Sequence, residues 1–279
     1  GDYIPDHLHD IMPVQADCLP HSLDGRDVTC RAQTGSGKTA AFLITILQRF
    51  LRKHGDESGG RPFALVLAPT RELALQIRKD ADDLGKYSSL RRLAVYGGMD
   101  LEKQKRQLQD GVDLLVATPG RLLDFMSRKA VDLSRIEILV IDEADRMLDM
   151  GFIPDVRRIV GRTPPPGKRQ TMMFSATLTG PVLRLADRWL HEQITVDKGE
   201  EQLVADEINQ MLYAVPAREK LALLLWLLKN EAGERILVFR NRRDRCEELA
   251  RKLQHYGVNC AVMSGDVPQN KRLRVLESF

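Results

Sequence analysis

Seven short apolar runs punctuate residues 1–196, at 27–30, 63–68, 93–96, 113–117, 136–141, 171–174 and 194–196. Between them, apolar residues recur at three- and four-residue intervals, as in 40–51, 72–84, 101–109 and 182–190. The runs predict strands and the longer segments amphipathic helices. Strand alternating with helix predicts a parallel sheet covered on both faces, a doubly wound α/β fold. Runs such as Ile138-Leu139-Val140-Ile141 have no polar alternation, which suits strands buried on both sides.

The rhythm breaks at 197–208, where five acids and one lysine surround Gly199 without a periodic apolar face. This stretch is expected to be a linker between a first domain, 1–196, and a second, 209–279. After it the pattern restarts with a strand at 211–215 and a helix to about residue 229. A strand at 236–239, a helix at 244–256, a strand at 258–263 and a helix from Pro268 come next. That helix is still running at Phe279, so the second domain is expected to be partial and the chain truncated.

Composition narrows the class. The 279 residues hold 42 basic and 39 acidic side chains, a formal charge of +3, and 43% are apolar, which excludes disordered and collagen-like chains. The longest apolar stretch, 221–228, is far short of a membrane span. The first residues have no basic and apolar leader of the secretory kind. Four cysteines, Cys18, Cys30, Cys246 and Cys260, form no close pair and read as reduced thiols. The six histidines include one close pair, His7 and His9, with nothing beside it to complete a metal site. The expectation is a soluble, cytoplasmic protein.

Chemistry enters at Ala32-Gln33-Thr34-Gly35-Ser36-Gly37-Lys38-Thr39, between a short strand and a helix. This is a phosphate-binding loop with alanine where the usual pattern starts with glycine. Gly35 and Gly37 let backbone N–H groups turn toward phosphate oxygens at a helix N-terminus. Lys38 brings a point charge to the β- and γ-phosphates, and the Thr39 hydroxyl can ligate Mg²⁺. The competing reading is a glycine loop that merely turns. Against it, the 136–141 run delivers Asp142-Glu143-Ala144-Asp145 at its C-terminal end, where open α/β sheets bind ligands. Asp142 is the expected metal-side acid, acting directly or through water. Glu143 is the expected general base for the attacking water.

Taken with the phosphate loop, Asp142 to Asp145 resembles the DEAD-box family of ATP-dependent RNA helicases. Pro69-Thr70-Arg71-Glu72-Leu73-Ala74, Gly97-Gly98, Thr118-Pro119-Gly120-Arg121 and Ser175-Ala176-Thr177 each match a family motif in order and spacing. So do Phe239, Gly265-Asp266, and Gln269 with Arg272. Within the family, residues 263–274 most resemble the bacterial RhlB type, with Ser264 where most relatives have histidine.

The resemblance implies two RecA-like domains that close on ATP, Mg²⁺ and RNA together. Gln15, after Pro13 and Val14, would read adenine, although Met12 stands where threonine is common. Ser175, Thr177 and Asp145 would couple the nucleotide site to domain closure. Thr70, Arg71, Gly98, Thr118 and Arg121, with Gly265, Asp266 and Arg272, would grip the RNA sugar-phosphate chain without reading sequence. The basic cluster 240–245 reads as a solvated helix face or a further phosphate contact. Since the family's arginine fingers would lie beyond Phe279, slow hydrolysis is expected of residues 1–279. An endonuclease partner in RNA decay is implied by the RhlB likeness alone. A DNA translocase of the same superfamily and a nucleotide-gated RNA clamp are the other readings the sequence leaves open.

Overall fold

The computed structural model describes residues 11–52, 61–197, 209, 211–230 and 235–279. The chain divides into two units, Gly1–Gly199 and Glu200–Phe279. Residues 198–208 of the expected linker lie outside the described residues.

The first unit is built on a seven-stranded sheet: β1 (Val28–Arg31), β2 (Ala64–Leu67), β3 (Arg92–Val95), β4 (Leu114–Ala117), β5 (Ile138–Ile141), β6 (Gln170–Ser175) and β7 (Ile194–Val196). All seven expected strands form, with ends shifted by a residue or two, and their spatial order is β3-β4-β2-β5-β6-β1-β7. Every pairing is parallel.

Among the described residues, eight helices cover this sheet: α1 (Pro13–Leu23), α2 (Lys38–Arg52), α3 (Arg71–Leu84), α4 (Leu101–Gln109), α5 (Pro119–Ser127), α6 (Ala144–Asp149), α7 (Ile153–Val160) and α8 (Gly180–Trp189). Because successive strand residues point to opposite faces, one strand feeds two cores. Ala64 and Val66 of β2, with Ile138 and Val140 of β5, join Phe42 and Ile46 of α2 and Ile77 of α3 on one face. Leu65, Leu67, Leu139 and Ile141 join Phe125 of α5, Val156 of α7 and Val182 of α8 on the other. This two-sided burial is why these runs are apolar throughout.

The order β5-β6-β1 gathers the chemistry. Strand β6 lies between β5 and β1, so the segments leaving the C-terminal ends of three adjacent strands hang side by side. Those segments begin at Ala32, Asp142 and Ala176.

The described residues of the second unit form a 3₁₀ turn (Ala217–Glu219) and the helices α9 (Lys220–Asn230), α10 (Arg243–His255) and α11 (Gln269–Ser278). The helices fall where the periodicity puts them. The strands expected at 211–215, 236–239 and 258–263 do not form a ladder among the described residues. A strand is defined by hydrogen bonds to a neighbour, and none of these runs has such a neighbour there. Leu237 and Phe239 are accordingly 65% and 87% exposed.

Candidate active site and nucleic-acid interface

The phosphate loop follows β1 and opens α2. Gly35 and Gly37 have φ of +85° and +83°, conformations that glycine adopts without penalty. A Cβ at Gly37 would lie 2.5 Å from Gln15 Nε2 and 2.7 Å from Met12 Sδ, so both side chains would have to move to admit it. Gln15 Nε2 donates to the Gly37 carbonyl at 3.1 Å, and Gln15 Oε1 accepts from the Met12 N–H at 3.2 Å. The carboxamide thus bridges the start of α1 to the loop. Ser36 closes the turn by donating its hydroxyl to the Gln33 carbonyl at 2.8 Å. Ala32 is buried, Gln33, Thr34 and Gly35 are exposed, and Thr39 lies in the first turn of α2.

Lys38 leaves that turn inward. Its ammonium lies 2.8 Å from Asp142 Oδ1, the two side chains being 5% and 0% exposed. Burial pushes the Asp142 carboxyl above the ordinary carboxylate value, while the Lys38 charge pulls it back. Asp142 Oδ1 also accepts the Glu143 N–H at 2.9 Å. Its Oδ2 is buried without a hydrogen-bond partner. An oxygen left bare beside a phosphate-binding loop and the Thr39 position suits Mg²⁺ or an Mg²⁺-bound water. Mg²⁺ is commonly held by one or two carboxylates together with substrate phosphates rather than by a protein cage.

Glu143 sits at the head of α6 in left-handed backbone, φ 51° and ψ 54°. For a non-glycine residue this conformation is strained, and such strain collects at functional sites. Its carboxylate accepts from Thr34 at 3.5 Å and from Arg146 Nη1 at 3.1 Å. The Arg146 contact went unread in the sequence, although three-residue spacing on a helix is a signal for it.

Asp145 and the turn after β6 form a closed set of bonds. Asp145 Oδ2 accepts from the Thr177 N–H at 3.1 Å and from its hydroxyl at 3.3 Å. The Ser175 hydroxyl accepts from the Asp145 N–H at 3.2 Å and donates to the Thr177 carbonyl at 2.8 Å. Ser175 is fully buried.

A second group lies beyond the C-terminal ends of β2, β3 and β4. The Thr70 hydroxyl caps α3 by accepting the Leu73 N–H at 3.2 Å. Thr118 occupies the same place before α5 without a side-chain cap. Arg71 lies across Gly97 and Gly98. A Cβ on Gly98, whose φ is +82°, would collide with the Arg71 guanidinium. Arg121 Nη1 donates to Gln104 Oε1 and Nη2 to the Met99 carbonyl, both at 3.1 Å. Gln104 does not stand out in the sequence as a functional residue. Its only signal is a polar side chain on the buried stripe between Leu101 and Leu108.

Gly265, Asp266 and Arg272 belong to the second unit. There Asp266 pairs with Arg243 Nη1 at 3.0 Å, and the same guanidinium lies 3.4 Å from where a Cβ on Gly265 would stand. Arg272 is in α11; the side chain of Gln269 lies outside the described residues.

The loop, the buried lysine–acid pair and the parallel sheet define a RecA-like P-loop nucleotide hydrolase. The chain matches the DEAD/DEAH box helicase family over residues 12–185, more than half its length, and the helicase conserved C-terminal domain over 219–279. It therefore belongs to the DEAD/DEAH box helicase family. It is 48% identical to the ATP-dependent RNA helicase RhlB of Pseudomonas syringae pv. tomato, over 96% of this chain and 68% of that protein. To RhlB of Pseudomonas putida it is 47% identical over 98% of this chain and 70% of that protein. To RhlB of Xanthomonas axonopodis pv. citri it is also 47% identical, over 96% of this chain and 47% of that longer protein.

Proposed function

We propose that the chain is an ATP-dependent RNA helicase that couples ATP binding and hydrolysis to local opening of RNA duplexes. The observation carrying this reading is the 2.8 Å contact between Lys38 and Asp142. It joins the segment that cradles phosphates to the segment that ends in carboxylates, in one water-excluded place.

In this reading Gly35, Gly37 and the N-terminus of α2 receive the phosphates, with Ala32, Gln33, Thr34 and Ser36 shaping the loop. Lys38 transfers its charge from Asp142 to the β- and γ-phosphates. Thr39 and Asp142 would hold Mg²⁺, which when bound neutralises charge on the phosphoryl group in transfer. Glu143 orients the attacking water and takes its proton. Gln15 would read adenine with the second N–H and second lone pair of its carboxamide, the first of each being engaged by Gly37 and Met12.

Asp145, Ser175 and Thr177 pass the state of the nucleotide site to the rest of the chain. Thr70, Arg71, Gly98, Thr118 and Arg121 in the first unit contact RNA phosphates and sugars. Gly265, Asp266 and Arg272 do so in the second. The RNA-helicase names of the relatives favour RNA over DNA as the strand bound, and no observation favours a clamp without turnover.

Among the described residues no helix is long and apolar enough to cross a membrane, and the four cysteines are free thiols. We infer a cytoplasmic setting from those thiols. An endonuclease partner in RNA decay rests on the RhlB likeness alone.

The test is ATP hydrolysis with and without single-stranded RNA or DNA, alongside unwinding of a short RNA duplex. RNA is expected to raise turnover and DNA to leave it unchanged. Stimulation by DNA alone would overturn the RNA assignment.

A further inference from the structure

Arg121 is held from two sides. One nitrogen donates to Gln104 Oε1 and the other to the Met99 carbonyl, while its guanidinium carbon lies 5.7 Å from the centre of the Phe125 ring. Partial burial lowers its pKa from the ordinary arginine value without removing the charge. Two of its five N–H groups are thus engaged in fixing its plane.

Gln104 is 5% exposed, and its Nε2 donates to the Tyr96 carbonyl at 3.2 Å. Its partners settle which way the amide faces, since a guanidinium only donates and a carbonyl only accepts. A flipped amide would set donor against donor and acceptor against acceptor. An aliphatic residue could fill this position in α4 with no need for polar partners. A buried amide is tolerated here because both its ends are satisfied. One side chain therefore joins the turn after β3, over which Arg71 lies, to the arginine at the start of α5.

We infer that Gln104 is a positioning residue for the RNA contact: it fixes Arg121, and the spacing of Arg121 from Arg71, so that the remaining N–H groups meet the phosphate chain. This inference rests on the proposed RNA role of Arg121. Gln104 touches no RNA itself. Its loss should act through Arg121 and leave ATP binding alone.

Equilibrium binding of a fluorescent oligouridylate to the full chain tests it, with Q104M, R121A, the double variant and R121K beside the parent protein. Methionine keeps the length of glutamine but offers the guanidinium no oxygen. Q104M is expected to weaken RNA binding about three- to tenfold, the range for one lost hydrogen bond, with unchanged affinity for a fluorescent ATP analogue. The double variant should bind no more weakly than R121A, because Gln104 has nothing to position once Arg121 is gone. A merely structural role in α4 would instead make the two losses add.

R121K keeps the charge and leaves α4 intact but lacks the fork that reaches both Gln104 and Met99. It is expected to lose as much as Q104M, which keeps the proposal testable should Q104M misfold. Additive losses, or parent-like binding by Q104M or R121K while R121A is weakened, overturn the proposal and spare the RNA reading. Parent-like binding by R121A overturns that reading and the proposal together.

Discussion

Lys38 and Asp142 neutralise each other at 2.8 Å in a place that neither shares with water. Each charge is tolerated there because of the other, and Asp142 Oδ2 still has no partner. The pair is therefore charge-balanced and incompletely hydrogen-bonded, which suits the proposed exchange of the lysine's partner for a phosphate.

Removing one side of this pair should be costly. D142N leaves the Lys38 ammonium buried against a neutral amide, and unfolding in denaturant is expected to show a loss of about 3–5 kcal/mol. A loss below about 1 kcal/mol would mean that the pair is solvated. ATP turnover by this variant is expected to vanish as well.

E143Q keeps the shape of the side chain but removes its basicity. Turnover should fall by roughly 10²- to 10⁴-fold, the usual worth of a general base, while a fluorescent ATP analogue binds as before. Rapid-quench single-turnover kinetics separates the two effects. Unchanged hydrolysis would assign the base to another group.

G98A puts a methyl group into the Arg71 guanidinium at a backbone φ of +82°. Left-handed backbone alone costs a non-glycine residue about 1–2 kcal/mol. The displaced arginine should weaken RNA binding while ATP binding stays unchanged. Titration of both ligands against one preparation checks the split.

Asp27 tests the sheet at the end opposite the active site. Its Oδ1 accepts the Thr171 N–H and its Oδ2 the His191 N–H, each at 2.8 Å. D27N turns an NH₂ toward one of those donors and is expected to cost about 1–3 kcal/mol. Burial raises the Asp27 carboxyl above its ordinary value of 3.8. The unfolded chain thus ionises first, and this group's contribution is complete below that value and lost as pH rises through the raised one. D27N should remove that part of the slope, measured as unfolding free energy against pH on the acid side of neutrality.

How much of this was legible depends on how local each cause is. Strands such as Ala64–Leu67 and Ile138–Ile141 declare themselves because burial on both faces demands unbroken apolar runs. The loop around Gly35 and Gly37 is legible for the same reason: its geometry is written in its own residues. The runs at 236–239 and 258–263 look no different in sequence, but a strand also needs a neighbour, and neighbours are not local. The left-handed backbone of Glu143 could not be read from its residue type. Nor could the meeting of Gln104 and Arg121, which depends on how α4 packs beside α5. The acid pair, the lysine and the coupling residues had roles suggested by motif; their distances came only with the fold.

The Ala32 N–H, at the first residue of the phosphate loop, donates to the Ser175 carbonyl at 2.9 Å, and the Ser175 hydroxyl accepts the Asp145 N–H. The first residue of the phosphate loop and the Asp145 backbone are thus tied to one residue, Ser175, through its carbonyl and its hydroxyl. If these residues couple the two sites as proposed, no relay across the domain is needed, for a shift of the loop would move Ser175 directly.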